Sequence, residues 1–274
     1  MKILVSVDIE GVAGVTHAEQ TRSGNGEYER ARAWMTAEAN AAVRGAFDGG
    51  ATAVMVNDSH GGFRNLLLDR LDERAEMITG KPRYLGMMAG VEQACDAVFM
   101  VGYHARSQER GVLAHTINSF AFRRVLVNGA ELGEAGLYGA LAGEFGVPVA
   151  LLTGDDVFLA ETQALFPGAV SVQTKRAEGN AACVSLAPGR ACALIHEAAA
   201  AAVARAPGLQ PLALSGGAGF ECELTTQTPG QADLFCQWPS VTRVSGSALS
   251  FQAESMYAVL RILNSFSAMS FMLR

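Results

Sequence analysis

The chain has 274 residues, enough to bury a full-sized core, and with 50% of them hydrophobic and 18% charged it is not a disordered segment. Its formal charge of −6, from 21 basic and 27 acidic residues, offers no general attraction to nucleic acid or to an anionic membrane surface. The apolar runs at 2–7, 52–56, 97–101 and 147–152 are far shorter than the roughly 20 residues that cross a bilayer.

The first run, KILVSVDIE, reads as a strand, and Asp8 and Glu10 interrupt it before a signal-peptide core could form. A helix follows over 28–50, with Ala31, Trp34, Met35, Ala42 and Phe47 in its apolar stripe and Gly49-Gly50 as its stop. TAVMVNDSH from Thr52, AVFMVGYHA from Ala97 and VALLTGDD from Val149 repeat the grammar of the first run. Parallel strands buried on both faces look this way when function sits at their C-terminal ends. A short helix around Leu85 to Ala94 is expected before the third of these strands, and a helix rich in alanine, leucine and glycine over 132–145. After Pro167 the spacing predicts a short strand at Val170 to Thr174, a helix from Gly189 to Arg205 and strands at 220–226 and 241–246. A last helix runs from Gln252 to about Met269, its apolar face read as core before interface. The expected fold is α/β: a three-layer α/β/α domain with a largely parallel sheet over 1–167, and a second, smaller α/β domain over 168–274.

Asp8 and Glu10 are two residues apart with no basic residue beside them, so they form either a solvated turn or one wall of a metal or acid–base site. On a continuing strand both would point to one side; if the chain turns at Asp8, Glu10 reaches back from the loop. Neighbouring parallel strands bring their C-terminal ends together, so His60 and His104 can converge on these carboxylates as ligands for a metal such as zinc. Each histidine alone would read as an ordinary hydrogen-bonding residue. Asn57 and Asp58 could hydrogen-bond a ligating imidazole or order the turn, and Arg106 could meet a substrate carboxylate or pair at a subunit surface. Glu131 and Glu134 would share one side of a helix beginning at Glu131, and periodicity does not choose between them. Asp155-Asp156 reads as helix capping and His196 as a structural or exposed residue. Cys95, Cys183, Cys192, Cys222 and Cys236 are odd in number and lack a CxxC pair, so they read as buried thiols in a reducing, cytoplasmic compartment.

Taken in order, SVDIEGVAG, YERAR…MTAEANAA, VNDSHGG, GYHAR, the pair His115-Thr116 and GAELGEAG resemble the D-aminopeptidase family of dipeptide-operon type, the M55 metallopeptidases, over nearly the whole length. The resemblance implies two zinc ions per subunit held by Asp8, Glu10, His60, His104 and Glu134, with Asp8 as the bridge, and a catalytic role for His115. It selects Glu134 over Glu131. It also implies hydrolysis of short peptides with an N-terminal D-residue such as D-Ala, through metal-activated water. A cytoplasmic homo-oligomer, a decamer of two stacked pentamers, is implied as well, and the apolar face within 255–271 offers the 168–274 part for oligomerisation.

Two other readings use the same residues. A binuclear-metal amidohydrolase or esterase could act on another small acyl substrate in the same crevice. A noncatalytic α/β small-molecule-binding or assembly protein could use the strand-end polar residues to bind an anion or satisfy buried loops.

Overall fold

The computed structural model describes residues 1–214 and 219–274. Its elements in chain order are β1 (Lys2–Val7), α1 (Gly26–Asp48), β2 (Ala53–Asp58), β3 (Glu76–Ile78), β4 (Ala97–Val101), β5 (Phe122–Val127), β6 (Ala130–Glu131), α2 (Glu134–Glu144) and β7 (Val149–Asp155). They continue with α3 (Asp156–Thr162), β8 (Val170–Gly179), β9 (Ala182–Ser185), α4 (Pro188–Arg205), β10 (Phe220–Thr226), α5 (Pro229–Phe235), β11 (Val241–Arg243), β12 (Ala248–Ala253) and α6 (Met256–Met269).

A seven-stranded sheet in the order β3-β2-β1-β4-β7-β8-β9 forms the frame, parallel except for β9. Successive side chains of a strand alternate between faces, and both faces here are buried. Ile3, Val5 and Val7 pack with α1 and α4, whereas Leu4, Val98 and Met100 belong to a core shared with α2 and α6. The fold is thus mixed α/β with a largely parallel sheet, accompanied by a smaller antiparallel sheet in the order β11-β12-β10-β5-β6.

Residues on either side of 168 are joined by both sheets. β8 pairs parallel with β7, extending the first sheet, while the second sheet takes β5 and β6 from before that position and β10 to β12 from after it. The segment Leu85 to Ala94 is not the expected helix: it holds one 3₁₀ turn, Gly86–Met88. Gly86, the first residue of that turn, and Gly90 beyond it, at φ +51° and +104°, break the right-handed path of a longer helix. The last helix starts at Met256, capped by Ser255, because residues 248–253 pair with β10 as a strand.

Among the described residues one segment, Met256–Leu273, is long and apolar enough to cross a membrane by length and composition. Its inner face, Met256, Val259, Leu260, Leu263 and Phe266, is buried in the core under the antiparallel sheet. Phe266 stacks on Phe235 at 4.8 Å between ring centres and meets the edges of Phe251 and Trp238. Removing that ring leaves a cavity its packed neighbours fill only in part, so Phe266→Ala should cost about 3–5 kcal/mol in urea unfolding; a cost below about 1 kcal/mol would contradict a core role for α6.

Candidate metal centre

β1, β2 and β4 end side by side, and their following loops bring Asp8, His60 and His104 to one point. The strand stops at Val7. Asp8 N–H still donates to Val101 O at 2.8 Å, but Val12 N–H closes a turn on Ile9 O, so Glu10 comes back from the loop instead of continuing the strand face. Gly102 permits the crossing: at φ +71°, a Cβ there would lie 2.3 Å from Asp8 O.

Asp8 lies between two imidazoles. Its Oδ1 is 3.1 Å from His60 Nδ1, and its Oδ2 is 3.4 Å from His104 Nε2. Glu10 Oε2 is 3.1 Å from the same His60 nitrogen. On the far side, Glu134 Oε1 is 3.5 Å from both His104 Nε2 and His115 Nε2, and the two imidazoles stack at 4.1 Å. Glu134 occupies the first position of α2 and accepts from Ile117 N–H. Glu131 is elsewhere, on β6, pairing with Arg124 at 2.8 Å.

Each imidazole has one nitrogen committed to a backbone carbonyl: His60 Nε2 faces Thr21 O at 2.9 Å, His104 Nδ1 faces Ala105 O at 3.0 Å, and His115 Nδ1 faces Leu113 O at 2.9 Å. A carbonyl only accepts, so these nitrogens carry protons, and the other nitrogen of each ring turns to the carboxylates. This is how ligating histidines are oriented from behind.

Asn57 and Asp58 do not touch an imidazole. Asn57 donates to Gly86 O and Ala89 O, while Asp58 accepts from Asn65 and Leu66 and thereby shapes the loop after His60. Loop ordering is their observed part. Arg106 is paired: Glu109 at 2.5 Å, Glu161 at 3.5 Å and Glu131 at 3.6 Å surround its guanidinium, and it lines neither of the two cavities at the centre. Asp155 caps α3 through Phe158 N–H, and His196 pairs with Asp48 at the surface.

Burial lowers the affinity of His104 for a proton, but Glu134 and Asp8 outweigh it and raise the pKa to about 10. For His60, burial likewise opposes and Glu10 and Asp8 prevail, holding it well above the ordinary value. Burial pushes the Asp8 carboxyl up, yet the imidazoles of His104 and His60 facing its two oxygens keep it well below the usual carboxylate range. Glu134 is raised by burial, against the pull of His104 and His115. Positive charge is therefore favoured at the points where the imidazoles meet the carboxylates.

The donor set fits zinc. It combines imidazole nitrogen with carboxylate oxygen, and two triads, Asp8–Glu10–His104 and His104–His115–Glu134, bring one ligand atom each to within 4.8 Å of the others. Glu10 Oε2 and His104 Nε2 are buried without a hydrogen-bond partner in the described structure, which a cation at those atoms would explain.

Acids and histidines gathered at parallel strand ends make this a candidate metal centre of the kind that hydrolases use. The chain matches the D-aminopeptidase family, Peptidase_M55, over residues 1–265, and belongs to it. It is 33% identical over 257 residues to a D-aminopeptidase of Bacillus subtilis (strain 168), covering 93% of each chain. Its fold superposes with a TM-score of 0.94 at 30% identity on the solved Zn-dependent D-aminopeptidase DppA from Bacillus subtilis, described as a self-compartmentalizing protease, covering 99% of this chain and 98% of that one.

Lys175 is a supporting residue that the sequence reading missed. It is 1% exposed, and its ammonium donates to the carbonyls of Glu10 (2.5 Å), Val12 (2.8 Å) and Val15 (2.6 Å), gripping the loop behind the centre. Glu38 holds the same loop through Ala13 N–H at 2.9 Å, and burial raises its carboxyl to about 7. A carboxyl whose pKa rises on folding binds its proton more tightly in the native state. Its contribution is complete below its ordinary value of 4.5 and is lost as pH climbs through about 7. Between about pH 4.5 and 8 the wild type should lose about 3 kcal/mol of stability relative to Glu38→Gln, read from urea midpoints across pH; parallel pH profiles would contradict this.

Proposed function

We propose that this D-aminopeptidase family member is a zinc-dependent aminopeptidase that removes an N-terminal D-residue such as D-Ala from short peptides. The observation that carries the centre is Asp8, each of whose oxygens faces a different imidazole. Asp8, Glu10, His60, His104 and Glu134 would hold the two ions, with Asp8 central among them. When bound, the ions would lower the pKa of a water, polarise the scissile carbonyl and offer a partner to the substrate amine.

The residues of the chain supply the rest. The carbonyls behind His60 and His104 fix which nitrogen each imidazole presents, so the ligand geometry is set before substrate arrives. His115 lines both cavities at the centre, and its Nδ1 proton is held by Leu113 O. Its Nε2 is left to take a proton and deliver it to the departing amine, the work of a general acid–base group.

The proposed ligands and His115 all lie before residue 168. The relative's description as a self-compartmentalizing protease supports a closed homo-oligomer of this chain too, the decamer that the resemblance implies, working in the cytoplasm on small peptides. Phe271, Met272 and Leu273, exposed beyond α6, are candidates for a subunit contact within 168–274.

Purified with zinc, the protein should bind about two equivalents and cleave D-Ala-D-Ala while sparing the L-isomer. His104→Ala should lose metal and at least about 10²-fold in kcat/KM with its circular dichroism unchanged. Equal cleavage of N-acetylated D-peptides would favour a general amidohydrolase, and a folded chain that takes up no zinc would overturn the centre.

A further inference from the structure

Two cavities flank the centre. One, of about 450 Å³, has Asp8, Glu134, Phe63 and Tyr138 in its wall; the other, of about 540 Å³, has Glu10, Arg22, Asn118 and Arg274. His60, His115 and Lys81 line both, and among the described residues Lys81 is the lysine or arginine common to the two.

The neighbouring cations are otherwise engaged. Arg83 donates through Nε to Gly86 O at 3.0 Å and through Nη2 to Asn57 Oδ1 and Asp58 O, with its Cζ 4.0 Å from the Phe63 ring centre. Arg22 pairs with Glu19, and Arg274 lies over the rings of Phe120 and Phe271. Lys81 donates one proton to Gly61 O at 2.8 Å and rests 5.6 Å from the Phe63 ring centre. Among the described residues no carboxylate forms an ion pair with it, which leaves two ammonium protons to offer. Partial burial and the nearby Arg83 pull its pKa below the ordinary lysine value, so meeting an anion there relieves a cost.

Resting on the aminopeptidase reading above, we propose that Lys81 binds the C-terminal carboxylate of the peptide substrate and so sets a preference for dipeptides. Its ammonium is held against the carbonyl of Gly61, the residue next to His60, which places it beside the centre. In a dipeptide bound by its N-terminal residue at the centre, the carboxylate lies one residue beyond the scissile carbonyl, about 3.5 Å of extended chain. That falls within the sweep of a flexible four-carbon stem. Each further residue carries the terminal charge about as far again beyond Lys81 and gives up the pairing. The centre and Lys81 then match the two ends of a dipeptide, amine inward and carboxylate outward.

The test compares D-Ala-D-Ala with D-Ala amide, which shares the N-terminal residue and lacks the carboxylate. In Lys81→Gln the ratio of kcat/KM for the dipeptide to that for the amide should fall about 10- to 100-fold, chiefly through KM of the dipeptide, and Lys81→Arg should restore most of it. A ratio unchanged in Lys81→Gln, with the wild type cleaving both substrates, would overturn the role of Lys81 and leave the aminopeptidase reading standing. A zinc-loaded wild type that cleaves neither substrate would overturn both.

Discussion

The arrangement depends on one buried carboxylate held between two imidazoles. Asp8 brings negative charge to the place where three parallel strands end, and such a charge is tolerated inside a protein only if positive partners meet it on each side. His60 and His104 come from the two strands that flank β1 in the sheet, so sheet order itself supplies the partners. A helix packed on either face cannot do this, because only neighbouring strand ends lie a few ångströms apart.

Around that carboxylate the main chain does much of the positioning. Carbonyls of Thr21, Ala105 and Leu113 orient the three imidazoles, and Lys175 and Glu38 restrain the loop that carries Glu10. Beneath the strand ends, the Ser6 hydroxyl touches those of Ser59 and Tyr103 and donates to Met87 O, fastening the β1, β2 and β4 exits to one another. Polar groups buried at this density are stabilising only when each finds a partner, and Glu10 Oε2 and His104 Nε2 are the atoms left for a cation to satisfy.

The parallel frame was legible because strands covered on both faces are written as unbroken apolar runs, and β1, β2, β4 and β7 all read that way. Asp8, Glu10, His60 and His104 could be gathered from their equivalent positions at strand ends. Glu134 could not be told from Glu131 by helical spacing, since β6 interrupts the helix that the comparison assumed. Lys175 was hidden by a bulge. Strict alternation along β8 would send it outward, but the register shift opposite Gly154 and Asp155 turns both Thr174 and Lys175 inward. The antiparallel sheet was the least visible part, because β5 and β10 find each other across a whole helix-and-sheet layer and no local pattern announces that pairing.

That same pairing governs how the protein is made. In chain order Asp8, His60 and His104 are all present by residue 104, yet β5 pairs with β10, more than 90 residues further on, and Asn264 and Ser267 of α6 complete the cavity wall. Contacts so distant in sequence are slow to form. The pocket therefore depends on the last helix even though Asp8 and His60, which also line it, come just after β1 and β2.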